Sequence, residues 1–147
     1  MSSGRPGGAE TAKRMAIIVH SGTMDRLYPV FMLATAAGAM DVEVHLFFTF
    51  WGLEALKKGG LESARLPGVM RLGTGMMKAR IKDTRVPSLP ELLRMSKEMG
   101  NVKIYACSTT MELMKVKEEE LIPEVDDIVG AAVFLDIALD ADIQLFI

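Results

Sequence analysis

The sequence predicts an α/β fold in which five parallel strands form one sheet with helices on both faces. Two observations support this prediction. Short runs of apolar and β-branched residues alternate with segments of helical periodicity, and a strand–helix–strand order implies right-handed parallel βαβ units. A chain of 147 residues is also long enough to bury one core of this kind.

The first βαβ unit occupies residues 15–48. Residues 15–19 form a continuous apolar run, which suits a strand buried on both faces. Asp25 is the predicted N-cap of a helix that runs from residue 26 to about residue 39. This helix has almost no polar face, so we expect another subunit to cover its outer side. The second strand is predicted at residues 42–48.

The next part of the chain differs in composition from the units around it. A short helix is predicted at residues 53–57 and ends before a pair of glycines. Residues 61–86 then form a Met-, Arg- and Lys-rich insertion, partly helical, that could lie over the strand ends as a lid. Its cations could attract an anionic substrate or an acidic partner, although for any single residue a solvated basic loop is the simpler interpretation. Its methionines fit gap-filling better than copper(I) binding.

The last third of the chain completes the predicted sheet. Ser88 and Glu91 have the spacing of a capping box, which predicts a helix that ends at Gly100. A strand then leads to Cys107, and Thr109 with Glu112 predicts a further helix starting just after Thr109. A short strand at 127–129, a helix at about 131–139 and a strand at 143–147 follow.

Cys107 is the only cysteine, and the prediction places it between the carboxyl end of a strand and the amino end of a helix. The thiolate is the reactive species, and an unperturbed cysteine with a pKa of about 8.5 is only about 3% ionised at neutral pH. Free N–H groups at a helix amino terminus favour the anion. The alternative is a small buried hydrophobic residue, but this context favours a reactive thiol.

Ligands of open α/β sheets bind at the carboxyl ends of the strands. Three predicted strand ends carry hydroxyl, thiol or aromatic side chains, and they would meet if the strands are neighbours. His20 could carry protons or be structural, and Trp51 could line the pocket or fill the core. The candidate substrate-binding residues around Cys107 are Ser21, Gly22, Thr23, Thr49, Phe50, Trp51, Ser108, Thr109 and Thr110.

Composition argues against several classes of function. A net charge of −2 gives no electrostatic support for nucleic-acid binding. A single cysteine excludes an intramolecular disulfide and a CxxC motif, and two histidines far apart make a metal site improbable. No GxGxxG or P-loop pattern is present, so a phosphate cradle has no support and we expect no cofactor.

The hydrophobic content points to association rather than to a membrane span. Half of the residues are hydrophobic and the mean hydropathy is +0.25, yet no uninterrupted apolar run is long enough to cross a bilayer. We therefore expect a homo-oligomer with a buried subunit interface. Residues 1–10 are rich in Gly and Ser without an apolar segment, so we expect a cytoplasmic protein whose residues 1–14 are disordered.

Two segments carry a family resemblance: the string FFTFWGL at residues 47–53, and Tyr105-Ala106-Cys107 followed by Thr110-Met111. Together they resemble the DsrE/DsrF-like sulfur-relay proteins, in particular the DsrE2-type branch that is also labelled peroxiredoxin-like. Residues 21–25, 76–77 and 86–89 are also similar to that branch. The similarity extends over nearly the whole chain after residue 14, which implies a single DsrE-like domain at 15–147 with the insertion at 61–86.

The resemblance implies a flavodoxin-like three-layer sandwich that assembles into trimers, tetramers or hexamers. It also implies a sulfane-sulfur carrier or sulfurtransferase in which Cys107 holds a persulfide, with a rhodanese-like donor and a TusA-like carrier as partners. The amides of residues 108–110 would stabilise the anion, and the hydroxyls of Thr109 and Thr110 could donate hydrogen bonds. Two alternatives stay open: a non-catalytic oligomeric module that binds a nucleotide or flavin, and a scaffold whose cysteine is inert.

Overall fold

The computed structural model describes residues 13–147, and its centre is one parallel sheet. The strands lie in the order β4-β3-β2-β1-β5, and every neighbouring pair is parallel. The predicted α/β class with five parallel strands is confirmed. The predicted disordered segment 1–14 lies outside the described residues except for its last two positions. The strands are β1 (Arg14–Val19), β2 (Glu43–Phe48), β3 (Val102–Cys107), β4 (Asp127–Val129) and β5 (Ile143–Phe146).

In the part of the chain that the structure describes, five α-helices and three 3₁₀ helices connect the strands. The α-helices are α1 (Met24–Ala39), α2 (Thr74–Asp83), α3 (Leu89–Glu98), α4 (Ser108–Leu113) and α5 (Ala131–Leu139). The 3₁₀ helices are Phe50–Leu56, Gly68–Gly73 and Glu118–Glu120. Among residues 13–147, no helix combines the length and the apolar character that a membrane crossing needs.

The first face of the sheet carries the main core. Alternate strand residues point to this face, as the two-residue period of a strand requires, and α1, α3 and α4 pack on it. Phe31 of α1 lies against Phe48 of β2, with the ring centroids 6.2 Å apart. The core strand residues of this face include Ile17, Val19, Val44, Leu46, Phe48, Val102, Ile104 and Ala106.

Within residues 13–147 the second face is covered by α5 alone, because only the β4–β5 connection crosses to that side. Phe134 of α5 is fully buried and stacks on Phe47 of β2, with the ring centroids 4.7 Å apart. Ala16, Cys107 and Val129 complete this smaller cluster. The three predicted layers are therefore present, but the second face has much less helix over it than the first.

Large apolar side chains are exposed on several helices, and α5 and α1 carry two of these surfaces. The outer side of α5 shows Val133, Leu135 and Leu139, and the adjacent edge strand β5 shows Phe146. The sequence predicts that another subunit covers the outer side of α1, and in the single chain Met32 and Leu33 on this helix are exposed. These surfaces account for the high hydropathy of the sequence, since burial within one chain leaves them uncovered.

Several predicted boundaries are wrong. Helix α1 begins at Met24 with Thr23 at the N-cap, so Asp25 lies inside the first turn. The helix predicted at 53–57 is a 3₁₀ helix that starts earlier, at Phe50. Helix α4 begins at Ser108 with Cys107 at the N-cap, so the predicted capping box of Thr109 does not form. The capping box at Ser88 and Glu91 is present, as predicted.

A polar cluster around the buried His45 on the second face was not predicted. His45 is buried and lies between the Glu43 carboxylate, at Nε2, and the Tyr105 hydroxyl, 2.7 Å from Nδ1. Arg14 donates to Glu43 over 3.1 Å. Hydrogen bonding to His45 holds the pKa of Glu43 below its usual range against the opposing effect of burial, and the charge of Arg14 adds to this. The cluster joins three neighbouring strands across one face.

Candidate functional site

Cys107 is the last residue of β3 and points to the second face of the sheet. It is 5% exposed and lies in the same cluster as Phe47 and Phe134. It is also the N-cap of α4, so the amides of the first helical turn follow it directly. The structure therefore places the thiol two positions closer to the helix than the sequence predicted, because the N-cap is Cys107 and not Thr109.

Two threonines bring hydroxyl groups to the thiol. Thr110 is 2% exposed, and its Oγ1 lies 3.2 Å from Oγ1 of Thr49 and accepts the Phe50 amide over 3.0 Å. Thr49 lies near Cys107 because β2 and β3 are neighbours, and these two residues directly follow the last paired residues, Phe48 and Ala106. Two of the three predicted loops, after β2 and after β3, thus meet at the sulfur.

These donors decide the ionisation of the thiol. Burial, the largest single influence, raises the pKa of Cys107, but four donors act in the opposite direction and the net pKa is lowered. They are the hydroxyl and amide of Thr110, the Thr49 hydroxyl and the Thr109 amide. The Cys107 side chain makes no capping hydrogen bond to the first turn of α4. We therefore interpret these four groups as donors that stabilise the ionised thiolate.

Phe50 has a strained backbone at the rim of this site. Its φ is +52°, the left-handed region that a bulky side chain rarely adopts. At this point the chain turns away from β2. The Phe50 amide donates to the Thr110 hydroxyl, and this hydrogen bond holds the backbone of Phe50 in its conformation. Backbone strain of this kind persists only where the surrounding contacts enforce it. Here the hydrogen bond that enforces it also holds the Thr110 hydroxyl next to the thiol.

Aromatic side chains surround the same strand ends. Phe50 is 40% exposed and Trp51 is 59% exposed, and their rings meet edge to face at 5.7 Å. His20 stacks on Phe50 at 5.9 Å and on Phe146 at 5.5 Å. The interpretation of Trp51 as a core residue is therefore wrong. His20 is held between two rings rather than beside the thiol.

The third predicted loop, after β1, lies farther from Cys107. The Ser21 and Thr23 hydroxyls are 3.0 Å apart and bond to each other, and within residues 13–147 no hydrogen bond joins them to the thiol group. Gly22 packs on the backbone carbonyl of Trp51. After β3, Ser108 is half-buried and Thr109 is exposed, so only Thr110 turns its side chain toward the sulfur.

The loop after β2 fits against β1 only because residue 52 has no side chain. A Cβ at Gly52 would overlap the carbonyl oxygen of Val19, and its carbonyl carbon would be 2.9 Å away. Neither backbone atom can move without breaking β1. We therefore expect Gly52→Ala to lower the free energy of unfolding by about 1–3 kcal/mol or more, measured by urea denaturation.

A glycine in open space provides the matched control. Gly75 lies in α2 with nothing within 4 Å of an added Cβ. Gly75→Ala should leave stability unchanged or raise it slightly, since alanine is the better helix former. Equal denaturation midpoints for the two variants would contradict the close approach at residue 52.

Comparison with protein families gives a match over most of the chain. Residues 11–69 and 62–146 match the DsrE/DsrF/DrsH-like family. The chain belongs to the DsrE/DsrF/DrsH-like family. The two matched segments overlap at residues 62–69, near the start of the predicted insertion. The family resemblance found in the sequence is thus confirmed.

Two curated relatives of this DsrE-like chain align along nearly their full length. A protein of Allochromatium vinosum named sulfur carrier protein DsrE2 is 35% identical, covering 92% of this chain and 98% of that protein. An uncharacterized protein of Bacillus subtilis strain 168, YrkE, is also 35% identical, covering 94% of this chain and 99% of that protein.

Solved structures with the same fold have little sequence in common with this DsrE-like chain. The ychN protein of E. coli superposes with a TM-score of 0.61 at 16% identity, covering 93% of this chain and all of that one. Protein MTH1491 of Methanobacterium thermoautotrophicum, of unknown function, gives a TM-score of 0.58 at 12% identity, covering 92% and 99% of the two chains. These likenesses support the fold alone.

Proposed function

We propose that this protein carries sulfane sulfur as a persulfide on Cys107 and acts as a sulfur carrier or sulfurtransferase in a sulfur relay. The observation that carries the proposal is the position of the Cys107 thiol at the N-cap of α4, beside the paired hydroxyls of Thr49 and Thr110, where the pKa of the thiol is lowered. Membership of the DsrE/DsrF/DrsH-like family and 35% identity to a protein named a sulfur carrier support it.

The reaction needs only two exchanges at sulfur. The Cys107 thiolate attacks the outer sulfur of a donor persulfide, a new S–S bond forms at Sγ, and the donor's own S–S bond breaks. The proton of the donor persulfide passes to the departing donor thiolate. An acceptor thiolate then attacks the outer sulfur and releases Cys107 as a thiolate. No net oxidation or reduction occurs, and a lowered pKa makes Cys107 a better leaving group in the second exchange.

The site residues divide into two groups in this proposal. Thr49 and Thr110 stabilise the thiolate through their hydroxyls, and the amides of Thr109 and Thr110 assist. Phe50 and Trp51, both exposed, form an aromatic rim that a partner could contact. We assign no chemical step to the loop of Ser21, Gly22 and Thr23, to Ser108 or to His20.

Burial of the thiol supports the rival interpretation of an inert scaffold. A buried cysteine without a role usually sits among apolar groups, and there its pKa rises. Cys107 is covered on one side by Phe47 and Phe134, but on the other side it faces Thr49 and Thr110. This polar side favours a functional thiolate, and sulfur transfer requires the thiol, which is 5% exposed, to become accessible.

The proposal includes partners of the relay. A rhodanese-like donor and a TusA-like carrier would exchange sulfur with Cys107 in the cytoplasm. The chain would act as a homo-oligomer, for which the uncovered apolar sides of α1 and α5 supply the surface.

The test is to load the protein with sulfur and weigh it intact. Incubation with glutathione persulfide, followed by removal of the reagent, should add one sulfur atom to the wild-type chain. A thiol acceptor such as dithiothreitol should then remove it. Cys107→Ser should show no addition, while Thr109→Ser, at an exposed neighbour, should load normally. No added sulfur in the folded wild type, or equal addition to Cys107→Ser, would refute the proposal.

A further inference from the structure

A second concave site lies beside the insertion, apart from the thiol. It has a volume of about 610 Å³ and is bounded by the start of α1, one side of α2, residues 84–88 and the start of α3. Neither Cys107 nor its threonines line it. A volume of this size is typical of sites that bind small organic molecules.

The floor of this pocket is apolar. Met24, Leu61 and Leu89 are each at most 5% exposed and belong to the main core. Tyr28 and Ile81 form its walls and are half-buried. The Tyr28 hydroxyl donates to the Pro87 carbonyl over 3.2 Å, which fixes the segment that closes one side.

The rim on the α2 side is cationic. Lys78 and Lys82 stand one helical turn apart on the same side of α2 as Ile81, and Arg85 follows the helix. Within residues 13–147, Lys82 and Arg85 take part in no hydrogen bond or ion pair, whereas Lys78 donates to the Glu62 carbonyl over 2.7 Å. Like charges four residues apart disfavour a helix, so a bound anion would stabilise this one.

The charges also limit the ligand. Three cations and two carboxylates line the pocket, and one of the carboxylates, Glu91, already accepts the Ser88 amide of the α3 cap. One excess positive charge favours a singly charged anion. Arginine presents a planar fork that matches a carboxylate.

We propose that this pocket binds a small organic acid with an apolar body and a carboxylate head, of the medium-chain fatty-acid type. The chain of the acid lies on Met24, Leu61 and Leu89, and its carboxylate lies between Lys82 and Arg85. Helix α2, of which only Thr74 is buried, gains its missing packing from the ligand. This site is independent of the proposed sulfur chemistry.

The test is titration of the isotope-labelled full chain with decanoate, followed by amide chemical shifts. We expect saturable shifts at residues 24–28 and 78–91. Acetate, which lacks the body, and decyltrimethylammonium, which reverses the charge, should cause no saturable shift there. Equal binding of either compound, or decanoate shifts confined to other surfaces such as α5, would overturn the proposal.

Variants test the cations separately from the fold. Lys82→Gln/Arg85→Gln should weaken decanoate binding about tenfold or more, equivalent to about 1.4 kcal/mol. Arg71→Gln/Arg80→Gln removes the same charge from the same basic segment without touching the pocket and should bind as the wild type does. Equal affinity of the two double variants would overturn the assignment. Cys107→Ser should bind normally, so this test and the sulfur test fail independently.

Discussion

Replacing Thr110 with valine should raise the pKa of the Cys107 thiol and slow its alkylation near neutral pH about tenfold or more. The Thr110 hydroxyl is the strongest of the groups that lower this pKa. A hydrogen bond to a charged group contributes about 1.5–3 kcal/mol, and each 1.4 kcal/mol changes the ionised fraction about tenfold. The measurement is the rate of iodoacetamide alkylation of the folded protein as a function of pH.

The pH dependence of the alkylation rate shows in which direction the pKa of Cys107 is shifted. The pKa of Cys107 is lowered in the fold, so alkylation of the wild type should reach its plateau at a lower pH than that of the unfolded chain in denaturant. Thr110→Val should move the midpoint upward. Burial of the thiol slows alkylation at every pH. The midpoint of the rate–pH curve therefore reports the pKa of the thiol, and its plateau reports how accessible the thiol is to iodoacetamide.

Two variants separate the hydroxyl from the shape of the side chain. Thr110→Ser keeps the hydroxyl and should keep the midpoint near that of the wild type. Thr109→Val removes a hydroxyl that is exposed and that does not contribute to the lowered pKa, so its midpoint should not move. If Thr110→Val keeps the wild-type midpoint, the hydroxyl does not stabilise the thiolate and the proposed mechanism loses its main support.

Thr110 also holds the strained turn at Phe50, so its loss should have a structural effect. In Thr110→Val the Phe50 amide loses its acceptor in a part-buried hydrogen bond, and the net loss of such a bond costs about 0.5–1.5 kcal/mol. Phe50→Gly, which tolerates the φ of +52°, keeps the backbone amide. Comparison of Thr110→Val with Phe50→Gly therefore separates the effect of losing the turn at Phe50 from the effect of losing the hydroxyl beside the thiol.

The order of elements could be predicted because strands and helices have distinct periods. Every strand that the sequence indicated is present, and β4 and α5 have the predicted bounds. Sheet order and helix starts depend on contacts between distant segments. The Thr109–Glu112 spacing is typical of a capping box, yet β3 continues to Cys107 through pairing with β4. The cysteine thereby takes the N-cap position itself.

The candidate site was predictable only in part for a similar reason. The loops after β2 and β3 meet because their strands are neighbours, as the prediction required. Which threonine faces the sulfur depends on helix phase, and this favours Thr110 over Thr109. The Glu43–His45 pair escaped notice because alternate polar residues in a strand normally face solvent, and only the tertiary structure buries His45.

Replacing Phe134 with alanine should have the largest effect on stability, about 3–5 kcal/mol. Phe134 is 1% exposed, stacks on Phe47 and meets Tyr105 edge to face. No second helix covers this face in the described chain, so no neighbour can close the cavity that the ring leaves. The measurement is urea denaturation, and alkylation of Cys107 in native buffer should become faster because the same cluster covers the thiol.

Leu135 provides the control on the same helix. It is 55% exposed in the single chain, so Leu135→Ala should cost less than about 1 kcal/mol if that surface faces solvent. If instead α5 forms the proposed subunit interface, Leu135→Ala should lower the apparent stability in a way that depends on protein concentration, because association stabilises only the folded chain. Phe134→Ala should destabilise at every concentration. A small effect of Phe134→Ala, equal to that of Leu135→Ala in dilute protein, would contradict the assignment of α5 as the sole cover of the second face.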